Sequence, residues 1–143
     1  MIQTTRYKGF DLIVHRCSGE TSAAEIRRTV EESHAGSVLP LEIWDFSDAA
    51  VTHLQVQDLG TLLGQIFPLV PQREDEKTAI VAPKTEDREL ALLFQRMAEF
   101  QDFPVLLRPF PDLTSAVVWL FGPNWESVLT ELSPHSDHLL SET

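Results

Sequence analysis

Four times along this chain an apolar, β-rich run gives way to a helix-start signal and then to apolar residues at helical spacing. Residues 12–17 lead into Ser22-Ala23-Ala24-Glu25, and residues 41–46 lead into Thr52-His53-Leu54-Gln55. Residues 78–82 lead into Thr85, and residues 104–107 into Asp112. A Ser or Thr three positions before Glu or Gln satisfies two orphaned backbone N–H groups at a helix start, and a lone Thr or Asp satisfies one. Strand and helix therefore alternate, which predicts a layered α/β domain with a mainly parallel sheet.

The first strand is predicted over residues 2–8, with Lys8-Gly9-Phe10-Asp11 turning it into the second, so an antiparallel hairpin opens the fold. A helix over residues 23–34 buries Ala23, Ile26 and Val30, and Gly36 is placed to end it. The second helix carries the widest apolar stripe, Val56, Leu59, Leu62, Leu63, Ile66 and Phe67, and Pro68 stops it. Gly60 and Gly64 lie on it at a cost of about 1 kcal/mol each, which implies close approach to the sheet or to another helix. In the third helix Leu90, Leu93, Phe94 and Met97 form the buried stripe, while Glu86 and Asp87 complement the positive end of the helix dipole. The last helix buries Leu113, Ala116, Val117, Leu120 and Phe121. The expected order is β-β-α-β-α-β-α-β-α, five strands and about four helices.

With 143 residues, 43% of them hydrophobic, one domain is expected, and a chain of this size buries roughly 70% of its unfolded surface. We assign residues 1–121 to the α/β domain. Residues 122–143 are expected to be an acidic appendage, a short helix near 124–132 followed by a mobile end. Eleven Lys and Arg face 22 Asp and Glu, a net charge of −11, which repels polyanions and argues against nucleic acid as a partner. Cys17 is the single cysteine, so no intrachain disulfide framework exists, and the expectation is a cytoplasmic protein without signal peptide or transmembrane segment.

The stretch Ile43-Trp44-Asp45-Phe46-Ser47, followed by a loop into the second helix, resembles the STAS fold of anti-sigma-factor antagonists. More closely the chain, over residues 2–121, resembles the SpoIIAA-like family, which is also akin to the CRAL-TRIO lipid carriers. The resemblance implies a non-enzymatic regulatory or protein-interaction module that binds its partner through the second helix and the loop before it. The alternative it implies is a carrier or sensor of a small apolar, lipid-like ligand. STAS regulators place a phosphorylatable Ser in an Asp-Ser-Ser-Gly-Leu-like turn at that helix. Here the sequence reads Asp48-Ala49-Ala50-Val51-Thr52-His53-Leu54, and the nearest hydroxyls are Ser47 and Thr52.

Ligands of open α/β sheets bind beyond the carboxyl ends of the parallel strands. The candidate partner- or ligand-binding residues there are Asp45, Ser47, Asp48, Thr52, His53, Lys84 and Thr85. Helix N-termini converge on the same edge, with Lys84 or Arg108 available as a counter-charge for an anion, although capping alone explains these residues. Asp45, Asp48 and His53 carry acid/base chemistry, but a turn Asp and a solvated first-turn His are the simpler reading, so no catalytic residue is assigned. His15 and Cys17 share a face of the second strand and are expected to be a packed His beside a buried structural thiol. His135, Asp137 and His138 have ligand-like spacing, yet a structural metal site needs four placed donors, and neither metal nor cofactor is expected. Phe67-Pro68-Leu69-Val70-Pro71 and the Trp125 segment offer apolar surface to a second copy or to the core, which leaves a homodimer open.

Overall fold

The computed structural model describes residues 1–35, 39–51, 53–70 and 75–133. Among the described residues a single sheet holds five strands in their sequence order: β1 (Ile2–Tyr7), β2 (Leu12–Glu20), β3 (Leu41–Ala50), β4 (Lys77–Val81) and β5 (Leu106–Phe110). β1 and β2 are antiparallel, joined by a 3-10 turn at Lys8–Phe10 in which Asp11 takes a left-handed conformation, φ 54°. The remaining pairs are parallel. The connecting helices are α1 (Ala23–Ser33), α2 (Val56–Ile66) and α3 (Thr85–Phe100), and α4 (Leu113–Phe121) and α5 (Trp125–Leu132) follow the last strand.

Sequential strand order decides where the helices go. Each crossover steps one strand further in the same direction, and crossovers of one hand stepping one way all cover one face. Accordingly α1 and α2 pack on the face that bears Cys17 and Trp44, with α3 beside them over Leu107. The opposite face bears Leu12, Val14, Ile43, Ala79 and Val81, and α4 and α5 fill it with Ala116, Val117, Leu120, Val128 and Leu132. Val128 and Leu132 are 1% and 2% exposed, so α5 is seated in the main core. Arg16 of β2 fastens it, donating from Nη2 to the carbonyl of Leu132 at 2.7 Å, a cation at the negative end of α5.

Several boundaries differ from the expectation. β3 does not stop at Phe46. After an irregularity between Arg16 and Ser18, β2 pairs on with it, Ser18 opposite Asp48 and Glu20 opposite Ala50, so a two-stranded ribbon projects past the end of β4 at Val81. The helix start at Thr52 is corrected as well. α2 begins at Val56, with Asp58 Oδ2 accepting from the backbone N–H of Gln55 at 2.7 Å, and Thr52 itself lies outside the described residues. β5 continues through Arg108 and Pro109 to Phe110, so Arg108 is a strand residue and not part of a loop at the ligand-binding edge. Proline is tolerated there because β5 is an edge strand.

Of the other helix-start signals, those at Ser22 and Asp112 hold and that at Thr85 does not. The Ser22 hydroxyl accepts from Glu25 N at 3.1 Å while Glu25 Oε1 accepts from Ser22 N at 3.2 Å, a complete capping box. Asp112 Oδ1 accepts from Ser115 N at 2.7 Å. Thr85 does not cap α3 but is its first residue, after Lys84.

Candidate functional site

Between the sheet and α1, α2 and α3 lies a cavity of about 120 Å³. Its floor is the alternating set of side chains that β3, β4 and β5 turn to that face: Glu42, Trp44, Phe46, Thr78, Ile80 and Leu107. The helices roof it, α1 with Ile26 and Val30, α2 with Leu59, Leu62 and Ile66, and α3 with Leu90, Ala91 and Phe94. Apart from Ala91, these belong to the stripes that the sequence periodicity predicts as buried. They meet around a space instead of closing on one another.

An aromatic row crosses the floor. The His15 ring lies 4.2 Å from Trp44, centroid to centroid, and Trp44 stacks at 6.2 Å and 15° on Phe46. Trp44 Nε1 donates to Glu42 Oε1 at 2.6 Å, which satisfies the indole N–H of a residue 6% exposed. Glu42 Oε2 lies 3.3 Å from His15 Nε2, an electrostatic contact and not an aligned hydrogen bond. On the other side of that ring Nδ1 lies 2.8 Å from the Thr4 hydroxyl. Burial pushes the Glu42 carboxyl up, but the His15 contact and charge, the Trp44 N–H and the charge of His34 outweigh it and hold Glu42 below its usual range. Glu42 therefore has its partners within the fold.

Asp87 does not. It stands in the first turn of α3, lines the cavity beside Leu90 and is 2% exposed, and neither carboxylate oxygen has a hydrogen-bond partner among the described residues. Burial raises its carboxyl, with Lys84 opposing the shift and Glu86 adding to it. Lys84 is turned elsewhere, its Nζ donating to the carbonyl of Ala49 at 3.3 Å. Asp87 follows α3's start at the carboxyl end of β4, while Glu42, Thr78 and the buried Glu76 stand toward the amino end. From Thr78 to Ala82 the strand path is about 13 Å at 3.3 Å per residue. The space is thus apolar along its middle with acidic groups toward both ends.

Those of the predicted site residues that are described, Asp45, Ser47, Asp48, His53, Lys84 and Thr85, do not line this cavity and do not form one cluster. Asp45 sits on β3 and accepts at Oδ1 from the backbone N–H of Ser47 at 2.9 Å and from its hydroxyl. Ser47 and Asp48 are exposed on the projecting ribbon rather than in a loop. His53 is turned to Glu20, Nδ1 to Oε1 3.8 Å, and not to Asp45 or Asp48. Thr85 is exposed. Cys17 is buried, and that burial raises its thiol to about 12, so it is no nucleophile at neutral pH. His135, Asp137 and His138 lie outside the described residues.

Sequence reasoning missed Glu42, Thr78 and Asp87 as cavity residues. The first two carried a usable signal, polar side chains alternating inward on strands otherwise packed with apolar ones. Asp87 carried a misleading one, since an acid in a first helical turn is explained by the dipole alone.

No family model matches the chain, and no curated protein sequence matches it. Among solved structures it is similar to the anti-sigma-factor antagonist SpoIIAA in its unphosphorylated form, at 15% identity and TM-score 0.48, over 82% of this chain and 94% of that one. It is likewise similar to the Bacillus cell fate determinant SpoIIAA in the phosphorylated form, at 15% identity and TM-score 0.48, over 82% of this chain and 96% of that one. The likeness is one of fold.

Proposed function

We propose that this protein is a non-enzymatic module that holds a small, mostly apolar ligand between its sheet and α1, α2 and α3. The single observation that carries this is the cavity itself, about 120 Å³ and walled by Trp44, Phe46, Leu62, Ile80 and Phe94. Native interiors fill space to crystal-like density, and an apolar space of this size accepts one benzene-sized ring. Of the acid/base candidates that the sequence singles out, Asp45 is tied to Ser47, His53 faces Glu20, and the Cys17 thiol is buried. This reading takes up the carrier or sensor alternative and ranks it above a module that works by protein contact alone.

A ligand that binds only the folded state raises the melting temperature by mass action. With 2-phenylethanol as probe, the melting temperature rises with concentration, and native mass spectrometry finds one equivalent bound. In Ala91→Met a flexible side chain fills the cavity from α3, and the shift is lost while the circular dichroism is kept. Absence of a shift in the parent protein ends the proposal.

A second reading rests on the ribbon and the start of α2. Ser47, Asp48 and His53 are exposed there, and Val56 is 56% exposed at the first position of a helix that otherwise buries its apolar residues. This is the surface we assign to a protein partner, and the acidic balance favours a basic patch on it. Asp48→Lys together with Val56→Ser weakens recovery of such a partner from lysate without altering the fold. Undiminished recovery removes that surface from consideration.

A further inference from the structure

We propose that the cavity is selective for small hydrophobic amines, arylalkyl or short alkyl ammonium compounds, whose N–H groups are received by Asp87. This deepens the reading of the cavity as a ligand site and rests on it. Two features of Asp87 carry it. The side chain is 98% withdrawn from solvent and faces the cavity, and both of its oxygens lack a partner among the described residues. A carboxylate placed so needs a donor of opposite charge, because removing an ion from water is repaid only by a partner in good geometry. The neighbouring cations do not serve. Lys84 bonds the carbonyl of Ala49, and Arg88 donates from Nη1 to the carbonyls of Ala82 and Pro83 at 3.0 Å.

The rest of the wall narrows the class. Glu42 and Glu76 are acids on the same cavity, with His34 as the cation facing Glu42, so an anionic end meets like charge at Asp87 and an acid-lined wall at the other end. An uncharged hydrocarbon fills the apolar middle but leaves Asp87 unsatisfied. Trp44, Phe46 and Phe94 suit a flat ring, and their faces attract a cation passing over them. The cavity volume limits the apolar part to about one ring.

The experiment is calorimetric titration of the full chain at pH 7.5 with three near-isosteric probes, 2-phenylethylamine, 2-phenylethanol and phenylacetate, repeated on Asp87→Asn. The amine is expected to bind about tenfold or more tightly than the alcohol, as a charge-assisted hydrogen bond requires, with phenylacetate weakest. In Asp87→Asn the amine falls to the level of the alcohol, whose own affinity stays within about twofold because its apolar contacts are intact. If the alcohol binds and the amine binds no better, amine selectivity is wrong and the apolar cavity stands. If the amine preference survives in Asp87→Asn, Asp87 is not its receptor and the assignment is overturned. If none of the probes binds, the amine proposal and the ligand reading fall together.

Discussion

A carboxyl group shut away from water without a donor lowers the stability of the fold that holds it, and the sign of that effect is readable against pH. Burial raises the Asp87 carboxyl in the folded state. Below the ordinary carboxylate range both folded and unfolded chains keep the proton, and Asp87 has no effect. As the pH rises toward the folded value, the unfolded chain releases its proton first and stability falls. Asp87→Asn removes that loss, so at pH 7 the variant is expected to be more stable than the parent by about 1 kcal/mol, and the gap closes below about pH 4. Urea denaturation of both proteins at several pH values measures it, and a gap that is constant with pH contradicts the assignment. Glu42 works in the opposite direction: held low by His15 and Trp44, it contributes stability that is lost as the pH falls through its folded value. Because Glu42 is the same in both proteins, the difference between them isolates Asp87.

Among the elements, α2 shows what periodicity can and cannot reveal. Its stripe of Leu59, Leu62, Leu63 and Ile66 is buried as the spacing predicts. The expectation that both glycines mark close approach holds for Gly60, where an added Cβ meets Met97 Cε of α3 at 3.3 Å, and fails for Gly64, where it meets nothing within 4 Å. Nothing in the structure explains Gly64. Gly64→Ala is therefore expected to stabilise the protein by about 0.5–1 kcal/mol, read as a higher urea midpoint at unchanged slope, and Gly60→Ala by less, because Met97 must shift. Strand ends were harder to read than helix stripes. Ser47-Asp48-Ala49-Ala50 is poor β-forming sequence and reads as a loop, yet β2 carries on beside it and supplies the pairing. Arg108 and Pro109 read as a loop for the same kind of reason, and an edge position makes room for them. The start of α2 moved because Thr52-His53-Leu54-Gln55 and Gln55-Val56-Gln57-Asp58 are competing start signals three residues apart, and Asp58 closes on Gln55.

Taken as a whole, the molecule was legible in its class, its strand directions and its helical faces, because each follows from local pattern and one rule of handedness. Its candidate site was not. A cavity is a deficit of volume among residues far apart in sequence, here from Ile26 to Leu107, and no window of sequence reports it. The role of the chain after Gly122 was likewise hidden, since a short apolar pattern in an acidic segment does not say what it packs against. Leu132 is 2% exposed in the core that α4 and α5 form under the sheet, so Leu132→Ala is expected to cost about 3 kcal/mol. A cost near zero in thermal or urea denaturation would mean that this helix is only loosely attached.

Gathering every crossover on one side leaves the two halves of the molecule with unlike mechanical characters. The α4–α5 side closes its apolar side chains on the sheet in one cluster. On the other, α2 is at once an inner wall and an outer skin, with Leu62 turned toward the hollow and Val56 toward water. A ligand in the hollow would bear on α1, α2 and α3, and because α2 also carries Val56 on its outside, occupancy would be felt there without any signal having to cross the sheet.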